Sequence, residues 1–192
     1  MAHALKFRFK MTIGRKIYVL IGLGFLGLLG NTLLDSRELA SGLREQKQIE
    51  LKHLVELAVT VVKEEHAAAE KGEIPAAEAQ KRAEARLADM RYGNNDYFFI
   101  IDMQNRMVMN PTATKLLGQD MSEMKDPTGK RLFIEINQTV RQHGGGFVDY
   151  QWQKPGSEKP QPKLSYVAGF APWGWIVGTG VYIDDLDAQA WT

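Results

Sequence analysis

Residues 91–109 read RYGNNDYFFIIDMQNRMVM, and this stretch switches the chain from helical to extended patterning. Gly93, Asn94 and Asn95 are turn formers that end what precedes them. Tyr97-Phe98-Phe99-Ile100-Ile101 and Met107-Val108-Met109 are then two short runs rich in aromatic, β-branched and apolar residues. Between them lies Asp102-Met103-Gln104-Asn105-Arg106, so the pair reads as a β-hairpin.

Toward the C-terminus, residues 111–127 read as a loop with one apolar patch, Leu116-Leu117. Residues 130–143 place Leu132, Phe133, Ile136 and Val140 on one helical face. Gly144-Gly145-Gly146 stops that helix. Three strands follow at 147–153, 163–171 and 175–183. A Pro/Gly/Lys loop over 154–162 separates the first two, and Pro172-Trp173-Gly174 turns the last pair.

Toward the N-terminus, residues 36–71 contain no proline and only one glycine, Gly42. Leu51, Leu54, Ala58 and Val61 recur at helical steps. Asp35 or Ser36 can cap the start and Gly72 the end; such a helix spans about 54 Å at 1.5 Å per residue. Pro75 opens a second, Ala/Glu/Arg-rich helix. The order predicts an α+β fold: a PAS-like antiparallel sheet of about five strands with a long N-terminal helix, preceded by one transmembrane helix.

The net charge of +1, from 24 basic and 23 acidic side chains, conceals a partition. Residues 1–34 carry five basic and no acidic side chains, while residues 35–192 carry 19 basic and 23 acidic ones. The run IYVLIGLGFLGLLGNTLL, residues 17–34, is uncharged and close to the ~20 residues that cross a bilayer core. The positive-inside rule sets residues 1–16 in the cytoplasm and the body outside. A cleaved signal peptide is the competing reading, but no clear A-x-A site follows the run. Gly22-Leu23-Gly24-Phe25-Leu26-Gly27 matches G-x-G-x-x-G only formally, because no strand and helix flank it. Its glycines read as membrane-helix packing residues.

Several function classes are excluded. The chain has no cysteine, hence no disulfide framework, thiolate metal site or thiol chemistry. The acidic body lacks the basic stripe of a nucleic-acid binder. His3, His53, His66 and His143 form no chelating spacing, and no G-x-S-x-G elbow occurs. The sequence therefore predicts a binding domain and not an enzyme, with no cofactor and no metal. Asn137-Gln138-Thr139 is a formal glycosylation sequon on a helix face, read as accidental.

What remains is a set of donor-bearing residues in apolar strands. Arg91 and Tyr97 bracket the turn into the first strand, and Asn110 follows the second. Tyr150 and Trp152 share one face of the third strand by alternation. Lys163 opens the fourth and Tyr166 lies within it, on the opposite face if that strand is regular. Arg, Lys, Asn and Tyr are the donors that hold a small carboxylate away from water. Aromatic rings and Met107 or Met109 can wall the rest.

The segments Arg91 to Ile100, Lys163-Leu164-Ser165-Tyr166-Val167, Phe170 to Trp175 and Gly178 to Asp185 together resemble the single Cache sensor domain of bacterial methyl-accepting chemotaxis proteins and some sensor kinases. The resemblance covers residues 35–187. It implies a periplasmic ligand-binding domain for short carboxylates such as acetate, propionate, pyruvate or lactate. Arg91, Tyr97, Trp152, Lys163 and Tyr166 match positions from which pocket residues are drawn. Where family members often carry Met-His-Pro, this chain has Met109-Asn110-Pro111; Asn keeps a neutral donor but cannot become cationic. The resemblance also implies a homodimer through the long helix. Residues 188–192 fall where a segment toward a second membrane helix would begin. The expected protein is thus a chemotaxis-type transmembrane receptor's sensor that passes a helix displacement to the membrane. The alternative is a secreted or membrane-anchored small-solute-binding protein without its own output.

Overall fold

The computed structural model describes residues 13–183, without the side chains of residue 16, residues 27–41 and residue 43. The expectations for residues 1–12 and for the segment after 187 lie outside the described residues. The chain divides into two units, Met1–Gly42 and Leu43–Thr192.

In the first unit, residues 13–42 are helical and belong to α1 (Ile13–Glu70). Its apolar side chains stand in the open: Tyr18 is 77% exposed, Leu20 68% and Leu26 67%. Among the described residues no helix is long and apolar enough to cross a membrane. The expected span, 17–34, runs into residues 27–41, whose side chains are not among them.

In the second unit α1 continues to Glu70, Gly72 follows at φ 73°, and Pro75 precedes α2 (Ala76–Asp89). The buried seam of α1 is Leu51, Val55, Ala58, Val59 and Val62, with Leu54 and Val61 only half-buried. Leu51 and Ala58 of the expected stripe lie in it, while Val55 and Val62 take the places expected for Leu54 and Val61. Both sets satisfy the helical period; contact with α2 and the sheet selects between them. Ala79, Ala83 and Leu87 face inward from α2. Arg86 clips α2 to α1 through Glu65 at 2.9 Å and Glu64 at 3.1 Å.

The sheet has six strands, one more than expected. RYGNND, read as a turn, instead folds back on itself as β1 (Arg91–Tyr92) against β2 (Asp96–Asp102), pairing Arg91 with Tyr97. Gly93 and Asn95 supply the positive φ angles, 50° and 70°, that this reversal needs. The second hairpin, β2 to β3 (Met107–Met109), closes where the sequence predicts it. Asp102 Oδ1 accepts from the backbone N–H of Gln104 and Arg106, each at 2.8 Å. α3 (Leu132–His143) ends at Gly144 in the left-handed conformation, φ 75°. β4 (Gly145–Gln153) begins two residues before the expected strand, and β5 (Pro160–Phe170) begins three residues before, inside the expected loop. β6 (Trp175–Tyr182) completes the meander.

The six strands pair antiparallel, in the order β1-β2-β6-β5-β4, with β3 also on β2. Phe98, Ile100, Trp175, Val177 and Phe170 pack on α1 and α2. On the other face Phe99, Ile101, Val148, Tyr150, Val167 and Ile176 meet Leu132, Phe133, Ile136 and Val140 of α3. The sheet is buried on both sides, and the second face holds the site.

Candidate ligand-binding site

Register builds one row of functional side chains across three strands. Tyr150 of β4 pairs with Lys163 of β5, and Lys163 pairs with Tyr182 of β6. Period-two alternation turns all three to the α3 face, together with Tyr97 and Phe99 of β2 and Trp152 of β4. Tyr97, Phe99, Met107, Asn110, Tyr150, Trp152 and Lys163, under Leu132, Phe133 and Ile136 of α3, enclose a cavity. Its enclosed room is about 10 Å³, and the indentation out to its mouth is about 250 Å³. The enclosed part holds about one water; three or four heavy atoms enter only when a wall moves.

Lys163 is 1% exposed. Its Nζ lies 4.1 Å from the centre of the Tyr97 ring, 5.0 Å from that of Tyr182 and 6.0 Å from that of Phe99. Among the described residues no ion pair involves it. A desolvated ammonium without a counter-charge is costly, and aromatic faces offset only about 0.5–2 kcal/mol of that each.

The phenols around it differ by environment. Burial works to raise the Tyr97 pKa, but the Lys163 charge and polar contacts with Thr112, Tyr182 and Lys163 bring it below the ordinary value. Tyr182, whose hydroxyl is 3.5 Å from that of Tyr97, is pushed up by burial and by the Tyr97 charge. Its hydroxyl donates to the Gln153 carbonyl at 2.9 Å. Burial also pushes Tyr150 up, and its hydroxyl is held by Ser165 Oγ at 2.8 Å. Asn110 is buried; its Oδ1 accepts from Thr112 N, Thr112 Oγ1 and Ala113 N, and among the described residues its amide N–H donors make no hydrogen bond.

Five of the seven sequence-predicted residues meet here: Tyr97, Asn110, Tyr150, Trp152 and Lys163. Arg91 does not. It is exposed, and its guanidinium donates to the Ala88 and Met90 carbonyls at the end of α2. Tyr166 does not either. It lies on the opposite face of β5, edge-on to Phe147 with ring centres 4.8 Å apart, packed toward α1. Of the two candidate wall methionines, Met107 lines the cavity and Met109 joins the core under α1. The sequon residue Asn137 is 4% exposed and bonds to Asn105 and the Asp102 carbonyl, so it is closed to modification in the folded chain.

Residues that the sequence pattern does not single out also shape the site. Phe99 lines it, and Ser165 fixes Tyr150. Gly178 and Gly180 of β6 act through the side chains they lack. A Cβ at Gly178 would collide with the Phe99 ring, and one at Gly180 with Ser165 Oγ and the Leu164 carbonyl. The signal available in sequence was the alternation G-T-G within an otherwise apolar strand. Among the described residues no cluster suited to a metal ion occurs.

Comparison with known proteins places this geometry among sensor domains. The chain is 35% identical over 179 residues, 93% of its length, to the methyl-accepting chemotaxis protein McpP of Pseudomonas putida, of which it covers 33%. It spans between about a quarter and a third of the length of the curated relatives it matches. A solved structure described as the periplasmic sensor domain of a chemotaxis protein is 48% identical, with a TM-score of 0.71, covering 73% of this chain and 97% of that one. Another, from work on carboxylic acid recognition by a Cache chemosensory domain, is 40% identical with a TM-score of 0.72, covering 75% and 98%. Residues 43–192 match the family described as single Cache domain 2, and the chain belongs to that family.

Proposed function

We propose that the chain is the extracytoplasmic sensing part of a chemotaxis-type receptor, and that its cavity takes a short monocarboxylate of the acetate, propionate, pyruvate or lactate class. The observation that carries this reading is the buried ammonium of Lys163 with no ion-pair partner among the described residues. A carboxylate supplies the missing charge and accepts from Lys163, Tyr97, Tyr150 and Asn110, as charge-assisted bonds do. The short apolar end then lies against Met107, Phe133 and Ile136. The 40%-identical structure tied to carboxylic acid recognition supports the ligand class. The relatives' receptor roles support sensing and not turnover.

The exposed apolar side chains between Ile17 and Leu26 support a membrane anchor at 17–34, and the basic residues before it support a cytoplasmic N-terminus. The proposed response is a displacement of α1 between Leu43 and Glu70 on the back of the sheet, in a homodimer. A ligand produces it only through different affinities for the two arrangements.

Thermal denaturation of the full chain in detergent, against short monocarboxylates, amino acids, amines and sugars, tests the ligand class. A ligand at 100 times its Kd adds about 2.7 kcal/mol, which for this size raises Tm by roughly 5–10 °C. Stabilisation by an amine or sugar and by no carboxylate overturns it.

A further inference from the structure

A second opening adjoins the cavity. It is a groove of about 320 Å³ beside the loop after β3, lined among others by Leu116, Met124, Pro127 and Pro160. Of the ten residues that line the cavity, only Leu132 and Trp152 also line the groove. They form the wall between the two spaces. Leu132 is buried at the first turn of α3, and Trp152 is half-buried near the end of β4. The indole is held by edge-on contacts, with ring centres 5.9 Å from Phe133 and 6.5 Å from Tyr150. Among the described residues no hydrogen bond is made by its side chain. The wall is held by packing contacts, so cutting it back leaves no buried polar group unpaired.

We infer that Leu132 and Trp152 are the residues that set ligand chain length, a deepening that rests on the carboxylate reading above. Lys163 fixes the head of the acid, and the wall stops its tail. The groove beyond is apolar at Leu116, Met124 and the two prolines, and it has the volume the inner cavity lacks. It is the space a longer tail would occupy once the wall is cut back. Chain length is thus written in two side chains, while the head group is recognised elsewhere. Removing one methylene from a well-formed apolar pocket discriminates only about 10–200-fold, but a wall that must be breached excludes longer tails by overlap.

The test is a titration of the full chain in detergent with the straight-chain acids from acetate to octanoate, for wild type, Trp152→Ala, Trp152→Phe and Leu132→Ala. Wild type is expected to bind the two- and three-carbon acids and to reject hexanoate. Trp152→Ala and Leu132→Ala are expected to bind hexanoate at least tenfold better than wild type does, with Trp152→Phe between. Adding Lys163→Met to Trp152→Ala is expected to weaken binding of every acid at least tenfold. Trp152→Phe keeps a ring in place and serves if truncation to alanine prevents folding. Wild type that binds short acids, with folded variants that keep its chain-length order, overturns the inference and leaves the carboxylate reading standing. Wild type that binds no acid overturns both.

Discussion

A lysine sealed among aromatic rings works against the fold that contains it. The ammonium of Lys163 is buried and gains ring faces and a polar contact with Tyr97 in return, but no counter-charge among the described residues. Lys163→Met keeps an unbranched chain of similar length without the charge, so the ligand-free protein is expected to melt at the same temperature or higher. Binding of short acids is expected to fall by about tenfold or more, since a hydrogen bond to a charged group contributes ~1.5–3 kcal/mol. Calorimetric titration and a melting curve on the same sample check both; loss of stability with affinity intact would refute the assignment. A second prediction concerns alkaline pH. Tyr97 has its pKa lowered beside Lys163, so rising pH forms a phenolate there that pairs with the ammonium and repels a carboxylate. Affinity is expected to fall as the medium becomes alkaline, and Tyr97→Phe is expected to remove that part of the fall in a Kd-against-pH profile. Such residues were only partly legible in sequence. Lys163 and Tyr166 both looked like donors, and alternation alone set them on opposite faces; which face holds the cavity depends on where α3 docks. Arg91 had the right chemistry, but the β1 turn aims it at the end of α2.

Elements were more legible than the contacts between them. Apart from β1, the strands, the 102–106 hairpin and α3 stand within a few residues of their sequence signals, because alternation and turn chemistry are local. Of the α1 seam, Leu51 and Ala58 were legible; Val55 and Val62 displace Leu54 and Val61 because only the neighbours choose among equivalent helical stripes. The loop before α3 is held by Asp126, a tie invisible in sequence because its donors are scattered. Asp126 Oδ1 accepts from Thr128 N, Thr128 Oγ1 and Lys130 N, and Oδ2 from Gln151 N at 3.0 Å. That pins the loop to the strand carrying Tyr150 and Trp152. Burial works to raise its pKa, but these hydrogen bonds hold it below the usual carboxylate value. A lowered folded pKa gives stability that is present above the unfolded value, about 3.9, and lost as pH falls through the folded one. Asp126→Asn is expected to cost about 1–2 kcal/mol at neutral pH and to flatten the acid limb of stability, measured by urea unfolding at several pH values. In β6, Gly178→Ala is expected to destabilise by about 1–3 kcal/mol through overpacking and to weaken acid binding by driving Phe99 into the cavity. Gly42→Ala, which meets nothing within 4 Å, is the matched control.

At the scale of the whole molecule, charge and hydropathy alone divide the chain in two. The basic residues before 17 and the uncharged run 17–34 separate a head from an acidic body. The fold likewise falls into two units, and the family match starts at residue 43. Pattern could not show where α3 packs, and therefore could not enclose the cavity. The head can be tested by itself. Tyr18, Leu20, Leu23, Phe25 and Leu26 each expose more than half of their surface. Each large apolar side chain left in water forgoes about 1.5–3 kcal/mol of burial, so a run of them needs a lipid or protein cover. If that cover is lipid, the full chain is expected to sediment with membranes and to stay there through an alkaline carbonate wash. Removing residues 1–34 is expected to release the body into the soluble fraction with its ligand-induced melting shift unchanged. A full chain recovered from the soluble fraction with Met1 intact would contradict the anchor. A mature N-terminus near Ser41 would instead identify a cleaved leader and support the solute-binding alternative. Retention of the shift after truncation would show that recognition resides in residues 35–192, leaving the head the separate task of tethering.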